Sequence, residues 1–303
     1  MTAALLIEQA LNGLQMGLML FLLAAGLTLI FGIMDMINLA HGSLYMIGAY
    51  LTAAIAQASG SFWIALPLAV IATAVIGMIL EISLLRPLYR RDHLSQVLAT
   101  FAIILISNEC IRIAFGDQAL MLNVPPALSG SIELLPQLPY PAFRLAIIAA
   151  GVAVALLLYL LVSKTRFGMQ VRAGASNRDM ALAMGVNVKW LFTAVFGVGA
   201  ALCALAGALL GPLLAVQVGM GESILILAFV VIVIGGIGSI RGAFVGALLV
   251  GMLDTCGRAF LPALLSQIGF GRSAGPAIAS MLIYALMAAI LFWKPQGLFP
   301  ARG

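Results

Sequence analysis

Apolar residues run through this chain in long blocks, separated by short clusters of glycine, proline and charge. Nine blocks lie near 11–33, 37–58, 62–85, 94–115, 143–163, 189–216, 222–236, 241–260 and 274–293. Each approaches the about 20 predominantly apolar residues an α-helix needs to cross the hydrocarbon core of a bilayer. The pattern predicts an all-α, polytopic transmembrane bundle of eight or nine helices, some of them interrupted. The block at 222–236 is short and ends in Gly235-Gly236, so it fits either a span or a re-entrant segment. Nine spans consume about 180 residues and leave about 120 for all loops and tails. Residues 1–303 therefore form a single transmembrane domain, with no room for a soluble domain of ordinary size.

Composition turns that pattern into an exclusion. Only 25 of the 303 residues are charged, 15 Lys+Arg and 10 Asp+Glu, where a soluble chain of this length would carry about 75. A water-soluble protein is excluded. With 12 prolines and 32 glycines spread through apolar runs, collagen-like and disordered chains are excluded too. The net charge of +5 gains meaning from its placement. With the N-terminus outside, the inner segments hold Arg86, Arg90, Arg91, Lys164, Arg166, Arg172, Arg178, Lys189, Arg241, Lys294 and Arg302. The outer side keeps Arg112, Arg144, Arg258 and Arg272. Eleven against four obeys the positive-inside rule, which sets the N-terminus outside and the C-terminus in the cytoplasm. No basic cluster on a soluble face points to nucleic acid. Met1 to Ala10 carries Glu8, no Lys or Arg, and no cleavable-signal shape.

Several chemistries lack their residues. No G-x-x-x-x-G-K-[ST] loop, H-E-x-x-H or G-x-S-x-G occurs, and the only histidines are His41 and His93. Energy for any work done must come from another chain or an ion gradient. Cys110, Cys203 and Cys256 are widely spaced and read as free thiols, and no metal-ligand pattern accompanies them.

Two breaks stand out. In GLTLIFGIMDMINLAHGSLYMIGAY, 26–50, an apolar helix runs into Gly32, meets Asp35 and Asn38, and resumes through His41, Gly42 and Ser43. Polar groups at membrane depth are costly unless they face protein or a water-filled path. Asn38 and His41, i and i+3, are expected on one helical face. They either line a translocation path or cap and cross-link helices. Gly42, Gly48 and Ala49 allow close helix approach. The second break, FVVIVIGGIGSIRGAFVGALLVGML at 229–253, carries Gly235, Gly236, Gly238 and Ser239, then Gly242 and Gly246. The pair of breaks suggests an internal repeat of the kind transporters use, with Gly235, Gly236 and Ser239 joining the path.

The largest inner segment, 164–190, reads KTRFGMQVRAGASNRDMALAMGVNVKW. Ser176 or Asn177 fits a helix N-cap, Asp179 sits in the first turn, and Gly185 fits the position that ends a helix. The resulting short helix presents Met180, Ala181 and Met184. It is too short to be stable alone, so it packs on its own spans or docks into a partner. Elsewhere, Glu109–Arg112 (i,i+3) and Asp254–Arg258 (i,i+4) fit neutralised ion pairs near interfaces, and Glu81 beside Arg86 fits a snorkelling charge. Phe292, Trp293 and Lys294 form an interfacial belt. The outer segment 116–142, with Pro125, Pro126, Pro136, Pro139 and Pro141, either covers the outer mouth or simply connects spans.

Four motifs carry a family resemblance. G-L-x-L-x-F-G, N-x-A-H-G and G-A-Y within 26–50, R-A, A-S-N and G-V-N within 172–187, G-G-x-G-S-x-x-G-A at 235–243, and K-P-Q-G-L-F at 294–299 appear in order. Together they resemble the branched-chain amino acid ABC transporter permeases of the LivH type, which are close to urea permeases. The family's usual N-P-E appears here as Asn177-Arg178-Asp179. The resemblance implies a membrane subunit of a bacterial importer in the inner membrane. It would pair with a second, LivM-type permease, be powered by two ATPase subunits, and receive solute from a periplasmic binding protein. No cofactor belongs to this chain, since ATP and Mg are bound by the ATPases. The segment about 164–189 would couple to them through Arg172, Ala175, Ser176, Asn177, Met180, Ala181, Met184, Gly185 and Asn187. The solute would be a branched-chain or related hydrophobic amino acid. Alternatives are urea or short amides on the same scaffold, or an ATP-independent carrier or channel. An intramembrane enzyme would need more convergent groups than His41 with Asp35 or Asn38.

Overall fold

Each apolar block of the sequence becomes a helix in the computed structural model, which describes residues 3–135, 138–267 and 274–299. The side chains of residues 3, 90, 135, 267 and 274 are not among those described. Arg272 and Arg302 of the charge bias, and Pro136 of the outer segment, lie outside the described residues. In chain order the long helices are α1 (Ala3–Met34), α2 (His41–Ser59), α3 (Phe62–Leu80), α4 (His93–Phe115) and α5 (Ala142–Lys164). Two short helices follow, α6 (Arg166–Ser176) and α7 (Arg178–Ala183), and then α8 (Val188–Leu210), α9 (Met220–Gly235), α10 (Ile240–Gln267) and α11 (Ala274–Trp293). Among the described residues seven helices are long and apolar enough to cross a membrane: α1, α3, α4, α5, α8, α10 and α11. The other two blocks give α2, polar at its start, and the 16-residue α9.

Local chemistry sets the ends. Asp92 caps α4, its carboxylate accepting from the Ser95 hydroxyl at 2.6 Å and the Ser95 N–H at 3.1 Å. Those bonds hold the Asp92 carboxyl below the usual carboxylate range. α3 ends differently, passing into a π-turn (Glu81–Leu85) and a 3-10 turn (Arg86–Arg90). The segment 116–142, expected as loop, contains a hairpin of β1 (Ser131–Leu135) and β2 (Leu138–Pro141). Asn12 of α1 anchors it, accepting from the Tyr140 hydroxyl at 2.9 Å and from Arg144 at 2.7 Å. This is the hairpin end of the bundle; α6 and α7 mark the opposite, short-helix end.

The core forms where α1 and α8 cross, running in opposite directions. Gly26 and Gly199 face each other there, and a Cβ on Gly26 would stand 3.0 Å from the Gly199 carbonyl oxygen. His41, the first residue of α2, packs against this crossing. Gly26 lies about 12 Å along α1 from Met34, and Gly199 about 16 Å along α8 from Val188, at 1.5 Å per residue. α2 thus starts well inside the bundle and runs to the hairpin end. α9 mirrors it, starting beside α2 and running to the short-helix end. The two starts touch through Gly42 and Gly221; a Cβ on Gly221 would stand 2.1 Å from the Gly42 carbonyl oxygen. The pairs α1–α2 and α8–α9 therefore form an inverted repeat. The expected repeat pairs the first break with 235–239; the contacts join Gly32 of the first break to Gly238, and Gly42 to Gly221 at the start of α9.

Irregular backbone inside a membrane protein must find its hydrogen bonds within the protein. Around 211–219 the outer segment provides them: Leu120 and Val216 exchange N–H···O bonds of 2.8 and 3.0 Å. At the α9–α10 break the C-terminal segment does so, with the Leu298 N–H donating to Ile234 and Phe299 to Gly235, both at 2.9 Å. Gly236 and Gly238 adopt φ of +104° and +81° there, which side chains resist. The outer faces of α3, α4, α5 and α11 expose Ile71, Leu98, Leu157 and Met281, an apolar surface for lipid or a partner subunit.

Because a side chain at 221 collides with backbone rather than with a movable side chain, Gly221→Val should force α2 and α9 apart. Overpacking of this kind costs at least about 2 kcal/mol. Thermal unfolding in detergent should show a lowered Tm, and an unchanged Tm would contradict the crossing.

Candidate functional site

The first break is a sealed polar interior. Asn38 and His41 have no exposed surface, and Gly42 and Ser43 are buried with them. They do not share a helical face as expected. Asn38 precedes α2, and its Oδ1 accepts from the Ala40 N–H at 3.0 Å. Asn side chains favour this local bond over a helical turn, so the residue starts the helix instead of riding on it. Asp35 does not join the cluster; it is exposed, with φ +49°, and closes α1. His41 Nε2 lies 2.9 Å from Cys203 Sγ of α8, a contact the wide cysteine spacing did not announce. Asn38 Nδ2 has no hydrogen-bond partner among the described residues. All three cysteines are free, and no group of three or more His, Cys, Asp or Glu side chains gathers among the described residues.

Gly235, Gly236 and Ser239 lie apart from that cluster, at the short-helix end. Ser239 starts α10, its Oγ accepting from the Gly242 N–H at 3.1 Å, while a Cβ on Gly236 would meet the Phe299 and Gln296 carbonyls. This glycine run accommodates the K-P-Q-G-L-F segment.

The short-helix end carries the exposed feature. α6, not foreseen as a helix, starts at Thr165, whose hydroxyl accepts from the Gly168 N–H at 3.1 Å. Arg172 of α6 donates to the Val162 carbonyl at the end of α5. Of the two cap candidates Asn177 is the cap, accepting from the Met180 N–H at 2.9 Å; Ser176 ends α6. Gly185 takes φ +83° just past α7, and Asn187 caps α8, accepting from Trp190. Met180 and Met184 are 61% and 78% exposed, and Ala175, Ser176, Asn177 and Asn187 are exposed as well. Ala181 is not presented: it is 4% exposed, on the side of α7 that faces its own chain. Arg178, where the family motif has proline, places its guanidinium 4.7 Å above the Phe192 ring of α8. That contact helps fix α7 in orientation.

Behind it lies a network the sequence understated. Glu81 is no snorkelling charge but is fully buried in the π-turn after α3. Arg86 grips it through two bonds of 3.1 and 2.8 Å, and it also accepts from the Tyr89 hydroxyl at 2.9 Å and the Thr193 hydroxyl at 2.7 Å. Tyr89 reaches the Met34 sulfur at 3.4 Å and stacks edge-on against Phe192. The ends of α1, α3 and α8 are tied together here, next to α7.

The remaining charges pair as the spacing suggested. Arg112 bonds Glu109 at 2.5 Å and also Asp117 at 2.6 Å, and Arg258 bonds Asp254 at 2.8 Å. Glu222 differs. It stands exposed in the first turn of α9, and its Oε1 accepts from Asn108 Nδ2 of α4 at 2.8 Å, with no cationic partner among the described residues.

An inverted pair of broken helices inside a polytopic bundle, with a short capped helix projecting from one end, is the architecture of a membrane permease. The family model described as "branched-chain amino acid transport system / permease component" matches residues 9–291, and the chain belongs to that family. It is 28% identical to the high-affinity branched-chain amino acid permease protein BraD of Pseudomonas aeruginosa, over 96% of this chain and 95% of that one. It is 26% identical to LivH of Escherichia coli K12, over 96% and 94%. It is also 26% identical to LivM of the same organism, over 92% of this chain and 67% of LivM. No solved structure matches.

Removing one partner of a buried ion pair leaves the other charge uncompensated. Glu81→Ala should therefore cost about 3 kcal/mol and loosen the short-helix end. Limited proteolysis at α6–α7 should accelerate in the variant; an unchanged cleavage rate would show that the network does not hold this end.

Proposed function

We propose that this chain is the pore-forming subunit of an ATP-driven importer for branched-chain or related hydrophobic amino acids. The observation that carries the reading is the exposed pair Met180, on a six-residue helix, and Met184, which ends it. So short a helix has little stability of its own, and here both of its ends are capped and its orientation is fixed from behind. Two exposed methionines on such a mount suit the groove of a partner protein. Two ATPase subunits would supply that groove, binding ATP and Mg themselves, since this chain has no phosphate loop. Arg172 and Ala175 would flank the contact, with Gly185 and Asn187 ending it.

The similarity to LivM supports pairing with a second permease of the same fold. Relatives named as high-affinity amino acid permeases support delivery of the solute by a periplasmic binding protein. The bias of eleven basic residues against four supports an inner-membrane protein with its N-terminus outside and α6–α7 in the cytoplasm. The moving part is the glycine crossing of α2 and α9. Asn38, His41, Gly42 and Ser43 lie at it, with polar groups that a solute or water would meet once the helices separate. Gly235, Gly236 and Ser239 would act from the short-helix end, as the hinge under the C-terminal segment.

Reconstitution of the permease pair, the ATPases and the binding protein tests the reading. Met180→Asp and Gly185→Asp should each lower ATP-driven uptake at least tenfold, while membrane insertion survives and ATP hydrolysis runs without transport. Wild-type uptake in both variants would refute the coupling assignment. Solute flux through the purified chain alone, without ATPase, would favour a carrier or channel.

A further inference from the structure

Glu222 and Asn108 form a polar bridge within the span of the bundle. Asn108 sits fifteen residues along the 23-residue α4, about 22 Å from its start and about 10 Å from its hairpin end. Glu222 follows Gly221, whose contact with Gly42 fixes the start of α9 inside the bundle. A carboxylate at this depth is costly in lipid unless it meets a cation, protein or water. The acidic side chains Glu81, Glu109 and Asp254 are each neutralised, by Arg86, Arg112 and Arg258. Among the described residues Glu222 has only the neutral Asn108 amide, which uses one N–H to orient the carboxylate and adds no positive charge. Its place in the first turn of α9 stabilises the helix, but that role does not call for an exposed carboxylate facing α4.

The surroundings are apolar. α4 runs toward the hairpin end and α9 away from it. Leu105, one turn before Asn108, and Ile226, one turn after Glu222, therefore both lie on the short-helix side of the bridge. Leu105 is 51% and Ile226 52% exposed. A fixed, unneutralised carboxylate above an exposed aliphatic surface is complementary to a solute carrying an ammonium group and an aliphatic chain.

We propose that Glu222, oriented by Asn108, is a solute-binding site that takes the ammonium group of the transported molecule, with Leu105 and Ile226 receiving its aliphatic part. The site lies in the hairpin-end half of the chain, on a surface that the chain itself leaves uncovered. It deepens the transport reading above and rests on it. It also implies that uncharged amides and sugars are poor solutes for this chain.

The test uses the complete reconstituted transporter with saturating loaded binding protein, following uptake of labelled leucine and of labelled urea alongside ATP hydrolysis. Glu222→Gln keeps the bond to Asn108 and removes the charge. It should lower leucine uptake at least tenfold while ATP hydrolysis stimulated by the binding protein persists, and Glu222→Asp should recover part of the loss. Asn108→Ala should give a smaller loss, about threefold. Leucine uptake at the wild-type rate in Glu222→Gln would overturn the site and leave the transport reading standing. Uptake of urea by the wild type and by Glu222→Gln alike, without leucine uptake, would overturn both. A loss of ATP stimulation together with uptake, unrelieved by Glu222→Asp, would assign Glu222 to helix stability and overturn the site.

Discussion

Two glycine contacts hold the architecture together. In a bilayer, helices gain nothing by hiding apolar side chains from tails that are equally apolar, so association depends on close packing. Gly26 against Gly199 lets α1 and α8 cross backbone to backbone, and Gly42 against Gly221 lets two helices begin side by side inside the bundle. Without those approaches, the irregular segments 35–40 and 211–219 would sit farther from their partners. Their backbone groups would then lack the enclosure that the interior of a membrane protein requires. The inverted repeat, the buried His41–Cys203 contact and the position of Glu222 all follow from these crossings.

Charge is distributed by the same economy. Glu81 is tolerated because Arg86, Tyr89 and Thr193 occupy both of its oxygens, so its burial ties three helix ends together instead of destabilising them. Through Tyr89 and Phe192 the network touches both Met34, at the end of α1, and Arg178, on α7. α7 therefore sits against a packed assembly that reaches the end of the helix preceding the first break. That continuity is of packed side chains, and it joins the short-helix end to the end of α1.

Much of this was legible in order of sequence range. Spans are local: a run of apolar residues with glycine or charge at its ends becomes a helix wherever it is placed, and the nine blocks did so. Caps are local too, so Asn177, Asp179 and Gly185 took their expected places, as did the ion pairs at i,i+3 and i,i+4. Errors arose where distant segments meet. One departure is local: Asn38 leaves the helical face its spacing suggests and accepts from the Ala40 N–H, two residues on. The glycines at 235–238 read as a break, and their role under the C-terminal segment comes from contacts with residues 296–299 that spacing does not announce. The sequence presents Ala181 as exposed, because a six-residue helix gives no sign of which side its neighbours cover.

What the sequence determined by itself is the solvent: a chain with 25 charges in 303 residues belongs in a membrane, and its blocks set how many helices lie there. The family motifs belong to that level too, since they are strings of residues in order. The tertiary structure alone decided which polar groups are paid for and which remain open. Glu81 and Glu222 are both single carboxylates near glycine-rich apolar helices in the sequence. One is closed by an arginine five residues away and a threonine 112 residues away. The other faces an asparagine 114 residues away and no cation among the described residues. Neutralisation is a property of three-dimensional neighbours, and helix packing, not spacing along the chain, chooses them.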